Sequence, residues 1–291
     1  MNSEERAERP DGPPYRDRLI AVGTQHGKQS QLAPAFHRVL GAVLLTPPID
    51  TDQFGTFTGE IPRTGTAIEA ARAKATLAMR VSRLPRGLAS EASYGPLPGS
   101  GIPGHEEILL FRDDLLGIEV IEGYRTAFVP GSCHSVASLD EVPDSLLATL
   151  PGQALIVRPN DPLPGSSPGL VKGIVDTAAL RAAIGLATRR SADGLAAVEP
   201  DLRAQHNPSR RRILVRLAAT LANRLATRCP ACRTPGFGTV ATEPGLPCRF
   251  CGTPTPLKTS DVHGCASCTH RVTRAVAGPG ADPASCPRCN P

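Results

Sequence analysis

Four CxxC pairs constrain this chain more than any other feature: Cys229/Cys232, Cys248/Cys251, Cys265/Cys268 and Cys286/Cys289. Two thiolates three residues apart on a tight knuckle offer half of a tetrahedral site, and a second knuckle completes it. Residues 229–291 carry few large apolar side chains, so metal binding must supply much of the free energy that folds them. Disulfides fit poorly with evenly spaced pairs in a chain that shows no secretory signature. The eight cysteines therefore predict two structural zinc ions, each with four sulfurs and no position open to substrate.

The gaps between successive pairs are 15, 13 and 17 residues. The first and last match the roughly 15–20-residue spacing of zinc ribbons, and the middle one does not. Spacing thus favours sequential sites, pairs one and two on one ion and pairs three and four on the other, with interleaved pairing as the alternative. His263 and His270 flank the third pair and read as surface histidines. The lone Cys133 reads as a small core or loop residue.

The first two thirds of the chain show strand and helix patterns in alternation. RLIAVGT (18–24) and AVLLT (42–46) read as strands around a short helix at 31–40. Thr66-Ala-Ile-Glu69 is a capping box that opens a helix running to about residue 81. GLASEA (87–92) is a strand, and ILLFRDD and GIEVIEGY form a hairpin. A helix follows at 139–149, then strands in QALIVRP and LVKGIVD, a helix over 178–188 and a last strand, GLAAVE. The expected fold is an α/β domain over 18–228, a mixed sheet with flanking helices, followed by a small Cys-rich double zinc-ribbon domain over 229–291. Residues 1–17 are polar and Pro-rich and read as a disordered tail. No apolar run approaches a membrane span, so a cytoplasmic protein without a membrane partner is expected.

Charge is uneven. Residues 199–228 hold seven arginines against Glu199 and Asp201, whereas residues 1–198 are slightly acidic. An anionic partner would be drawn to the last third of the chain. Aromatic residues make up only 3%, which leaves few platforms for stacking single-stranded bases. In EPDLRAQHNPSRRR (199–212), Asn207-Pro208 is an N-cap followed by proline at the first helical position. At 100° per residue, Arg210 lies on the side of Leu217 and Leu221 and should face the protein body. Arg211, Arg212 and Arg216 should face solvent. Arg203 and Arg210 would gather donors for an anion at the helix start, with His206 beside them. Glu199 and Asp201, at a strand's end, would either hold a metal ion or orient the arginines.

Thr24-Gln25-His26-Gly27-Lys28 leaves the first strand for a helix, a suitable place for a phosphate. Glu60 precedes the capped helix, which carries Arg72 and Lys74, and Glu91 ends the next strand. In this order the motifs over about 18–125 resemble the inosine/xanthosine triphosphate pyrophosphatase superfamily, with Gln25-His26 where an asparagine is usual. The resemblance implies that Lys28 touches phosphate and that Glu60 and Glu91 serve a Mg²⁺ ion or the attacking water. DTDQFGTFTGEIPR, ASEASYGP, EPDLRAQHNPSR, CPACRTPGFG and the ending ADPASCPRCNP resemble an uncharacterised bacterial family, a domain of unknown function with cysteine pairs. IVRPNDPLPGSSPGLVKG shows a likeness to the Gly/Ser loop of ATP-grasp ligases, which gains weight only if Lys172 faces a nucleotide.

The sequence therefore predicts a site for a nucleotide-like anionic small molecule. His26, Lys28, Arg203 and Arg210 would bind phosphate, while Glu60, Glu91 and Asp201 would act in Mg²⁺-dependent hydrolysis of a phosphoanhydride. The alternative is a zinc-ribbon module that binds nucleic acid or protein on a non-catalytic α/β scaffold.

Overall fold

The computed structural model describes residues 12–56, 60–97, 101–129, 131–163 and 169–291. In chain order the elements are β1 (Leu19–Val22), α1 (Gln29–Leu40), β2 (Val43–Leu45), α2 (Ala67–Ser82), β3 (Arg86–Pro96), β4 (Pro103–Asp113) and β5 (Ile118–Thr126). Then come β6 (His134–Val136), α3 (Asp144–Leu147), β7 (Leu155–Pro159), β8 (Val171–Ile174), α4 (Thr177–Thr188), β9 (Ala196–Pro200) and α5 (Pro208–Ala226). The C-terminal strands are β10 (Gly238–Pro244), β11 (Lys258–Gly264) and β12 (Arg271–Ala275).

One mixed sheet was expected before the ribbon, and two sheets form. The first has the order β2-β1-β3-β4-β5, parallel at β2-β1-β3 and antiparallel from β3 to β5. Side chains alternate across it with the period of two that a pleated strand imposes. Ile20, Val22, Leu88, Leu109 and Phe111 face a core shared with α1 and α5. Ala21, Ala89, Ile108 and Leu110 face the opposite side, where α2 presents Ala71, Ala75 and Ala78. Small residues let α2 approach closely. A Cβ on Gly23 would lie 2.4 Å from the Lys74 carbonyl oxygen, so the end of β1 can pass under α2 only as glycine.

The second sheet, β6-β9-β7-β8, is antiparallel and has its own core of Leu155, Val157, Leu180, Ile184 and Val198 beneath α4. The helix expected over 139–149 is a 3₁₀ turn at Leu139–Glu141 and the short α3. Residues 201–207 carry the chain from β9 back to the first sheet, where α5 packs on α1, β4 and β5. This return is pinned by the Asp201 N–H on the Ala154 carbonyl (2.8 Å) and the Ala154 N–H on the His206 carbonyl (3.1 Å). Folded structure also starts earlier than residue 18. Tyr15 is buried edge-on against Phe111, and Arg86 lies over its ring, while residues 1–11 of the expected tail lie outside the described residues. Among the described residues, no helix is long and apolar enough to cross a membrane.

Candidate functional site

The eight paired cysteines assemble into two groups, Cys229/Cys232/Cys265/Cys268 and Cys248/Cys251/Cys286/Cys289, the sulfurs of each lying within 4.8 Å of one another. Sequential pairing is thereby overturned in favour of interleaving. The reason is the direction of the strands. The first knuckle precedes β10, whose starting residue Gly238 pairs with Gly264 at the end of β11, and the third knuckle follows Gly264 directly. The second knuckle lies beyond the far end of β10, to which β12 returns before the fourth. Each strand carries the chain from one end of the sheet to the other, so alternate knuckles meet.

Sulfur separations include 3.8 Å for Cys229–Cys268, 3.5 Å for Cys232–Cys265 and 3.6 Å for Cys251–Cys286. A tetrahedron of 2.3 Å zinc–sulfur bonds places its sulfurs roughly 3.8 Å apart, so each group fits one zinc ion. The first two knuckles share a local design. Arg233 and Gly252 adopt left-handed backbone (φ 66° and 73°), and their N–H groups return to the carbonyls of Cys229 and Cys248, both at 2.9 Å. Hydrogen bonding with the side chain and N–H of Thr234 pulls the Cys232 thiol down to about 6, and Thr253 does the same for Cys251. Neither His263 nor His270 is a ligand, and both rings lie by Phe237. Cys133 is exposed. The ribbon is fastened to the first sheet by Arg224, which donates to the Glu122 carboxylate (2.9 Å) and the Ile121 and Gly236 carbonyls.

The second constellation is a cavity of about 400 Å³ between the two sheets, and the expected anion residues are among its walls. His26 and Lys28 reach it from the loop after β1, Glu91 from β3, Arg203 from the link after β9, and Arg210 from the first turn of α5. Asn207 caps that turn, its side-chain oxygen accepting from the Arg210 N–H at 3.1 Å, with Pro208 at the first helical position. Arg210 is fully buried, as its helical phase requires, whereas Arg212 and Arg216 are exposed and Arg211 is partly so.

Each of the three expected catalytic carboxylates is held by a basic partner. Glu91 accepts from Lys74 at 2.6 Å and lies 3.5 Å from Arg63. Asp201, fully buried, clamps Arg203 through both oxygens and does not itself line the cavity. Glu60 pairs with Lys172, and only the lysine lines the cavity. Glu199 does not line the cavity and lies 3.7 Å from Arg158. The Asp201 carboxylate thus holds the Arg203 guanidinium in place. Among the described residues, the two cysteine groups are the clusters of three or more His, Cys, Asp or Glu with converging ligand atoms.

Sequence reasoning missed the residue that supports Arg210. Glu107, on β4 and fully buried, accepts from Arg210 Nε (2.7 Å) and Nη2 (2.9 Å) and meets His105 at 3.2 Å. Burial alone would raise the Glu107 carboxyl, but the Arg210 charge and the hydrogen bonds from His105 and Arg210 hold it down to about 2. Tyr94 stacks flat on His105 at 4.4 Å, and its hydroxyl accepts from the Asn207 side chain at 3.3 Å. A signal for Glu107 was present. It shares strand parity with Leu109 and Phe111, the side that α5 covers. Lys172 faces the cavity as well, though most of its Gly/Ser loop (164–168) lies outside the described residues.

Lys28 differs from its neighbours. It is 9% exposed, and among the described residues its ammonium donates only to Ser90, to Oγ at 3.0 Å and the carbonyl at 3.4 Å. Burial and the nearby positive charges of Arg210 and Lys74 pull it down to about 8, against the opposing pull of Glu107 and Glu91.

Fold and site together define a two-sheet α/β protein with a cavity lined by basic residues and a C-terminal pair of interleaved Cys₄ sites. The chain belongs to the family described as a domain of unknown function, DUF6671, whose sequence model matches residues 74–291. No curated protein and no solved structure matches it.

Proposed function

We propose that this zinc-binding protein holds a phosphorylated, nucleotide-like small molecule in the cavity between its two sheets. The observation that carries the proposal is the convergence of six cations, Lys28, Arg63, Lys74, Lys172, Arg203 and Arg210, on one cavity of about 400 Å³. That volume is within the range of small-molecule sites, and guanidinium groups oriented by carboxylates are suited to phosphate oxygens. The zinc sites take no part in the chemistry, because four sulfurs leave no coordination position open. They brace the ribbon, which in turn supports β5 and the end of α5 through Arg224.

Metal-assisted hydrolysis of a phosphoanhydride, by analogy with the triphosphate pyrophosphatases, would require Glu91 to exchange Lys74 and Arg63 for Mg²⁺. Recognition of the phosphorylated molecule is therefore the primary reading, and turnover is a question for the same assay. Purified protein is screened by thermal shift against nucleoside mono-, di- and triphosphates and sugar phosphates, with and without Mg²⁺, with phosphate release followed in parallel. Stabilisation by one of these classes supports the reading. If no compound shifts the melting temperature and none is turned over, the proposal fails.

A further inference from the structure

We infer that the cavity's ligand is a phosphate monoester, one terminal phosphate dianion on an organic body, bound without a divalent metal ion. This rests on the reading of the cavity as a phosphate site and narrows it through charge balance. Among the described residues, the six cations that line the cavity meet four carboxylates. Glu60 takes Lys172, Asp201 takes Arg203, Glu107 takes Arg210, and Glu91 is shared by Lys74 and Arg63. Two positive charges are left over, one on Lys28 and one across the Arg63–Lys74–Glu91 triad. Asp52, the other acidic residue of the wall, lies 3.1 Å from His26 at the rim, and that pair stands apart from the six cations and their four carboxylates.

An excess of two positive charges around one cavity favours a ligand of matching opposite charge. A phosphate monoester carries nearly two negative charges at neutral pH, since its second proton leaves with a pKa of about 6. A di- or triphosphate brings further charge, which proteins usually offset with a metal ion held by carboxylates. Here the buried carboxylates are already committed. Both oxygens of Asp201 bind Arg203, both oxygens of Glu107 bind Arg210, and the two oxygens of Glu91 face Lys74 and Arg63. Lys28 marks the place of the dianion. Its charge is buried, lines the cavity and, among the described residues, meets only neutral Ser90 acceptors, and an arriving phosphate would supply the anionic partner that the other five cavity cations each have.

The test is calorimetric titration of the full-length zinc-loaded chain near neutral pH. The probes are adenosine and guanosine 5′-monophosphates, the matching di- and triphosphates, ribose 5-phosphate and inorganic phosphate, each with and without Mg²⁺. A monoester should bind at least about tenfold more tightly than the corresponding triphosphate in Mg²⁺-free buffer, with little change on adding Mg²⁺. Equal binding of ribose 5-phosphate and a nucleotide would support a sugar phosphate as the recognised unit. Lys28→Met should lower monoester affinity by at least about tenfold without lowering the melting temperature, while the surface variant Arg212→Ala binds normally.

Tighter binding of a triphosphate, or binding that requires Mg²⁺, overturns the monoester inference while leaving the phosphate-site reading intact. Inorganic phosphate binding as tightly as every ester overturns the ester. Unchanged monoester binding by Lys28→Met overturns the inference as well. If no phosphorylated compound binds, the phosphate-site reading falls with it.

Discussion

A buried lysine without a carboxylate partner should weaken the fold that contains it, and Lys28, which has none among the described residues, makes this measurable. Its ordinary value of 10.5 is pulled down to about 8 by burial and by Arg210 and Lys74, with Glu107 and Glu91 opposing. Below pH 8 it is protonated in both folded and unfolded chains, and the folded chain carries the whole cost. Between pH 8 and 10.5 the folded chain has released a proton that the unfolded chain still holds, so the cost shrinks as pH rises and then vanishes. The gap corresponds to about 3 kcal/mol at neutral pH. Replacing Lys28 by methionine removes that cost but also the hydrogen bond to Ser90, which contributes about 1 kcal/mol. Lys28→Met should therefore stabilise the ligand-free protein by about 2 kcal/mol, or roughly 4–8 °C for a fold of this size. The assay is thermal unfolding in phosphate-free buffers from pH 6.5 to 10.5. The stabilisation should be level up to about pH 8 and decline above it. A variant that is less stable than wild type at pH 7, or a difference that does not change with pH, would refute the argument. A gain in stability on losing a functional residue is the expected trade-off at a binding site.

Removing one member of the buried Arg210–Glu107 pair, as in Arg210→Met, should destabilise the protein by about 3–5 kcal/mol in denaturant titration, because it strands a buried carboxylate. The double variant Arg210→Met/Glu107→Leu should recover much of that loss. Asn207→Ala should cost about 1 kcal/mol through the lost N-cap, read by the same titration. Metal analysis should find two zinc ions per chain, and the pairing predicts which cysteines fail together. Cys229→Ser with Cys265→Ser should spare one zinc ion, whereas Cys229→Ser with Cys248→Ser should lose both; sequential pairing reverses those results.

Most secondary structure was legible because it depends on patterns a few residues long. The Thr66–Glu69 capping box, the Asn207-Pro208 helix start and the inward turn of Arg210 all follow from local spacing and helical phase, and all are present. Other features depend on partners far along the chain. Glu107 and Arg210 are 103 residues apart, and Lys172 and Glu60 are 112 apart, so no local pattern links them. Lys74 was noted as a basic residue of its helix, yet its position between Ala71 and Ala78 on the buried side was the clue that it turns inward to Glu91.

The sequence alone carried the metal-ligand set, eight thiols in four CxxC pairs. It also determined that an arginine at the start of α5 would point inward. Tertiary structure decided which knuckles meet, because pairing depends on the end of a three-stranded antiparallel sheet at which each one emerges. It decided the cavity in the same way. Residues 201–207 carry the chain from one sheet to the other, and only that crossing brings Arg203 and Arg210 to face Lys28 and Glu91. Spacing along a chain sets which side of its own element a residue occupies, whereas the packing of sheets sets what it meets there.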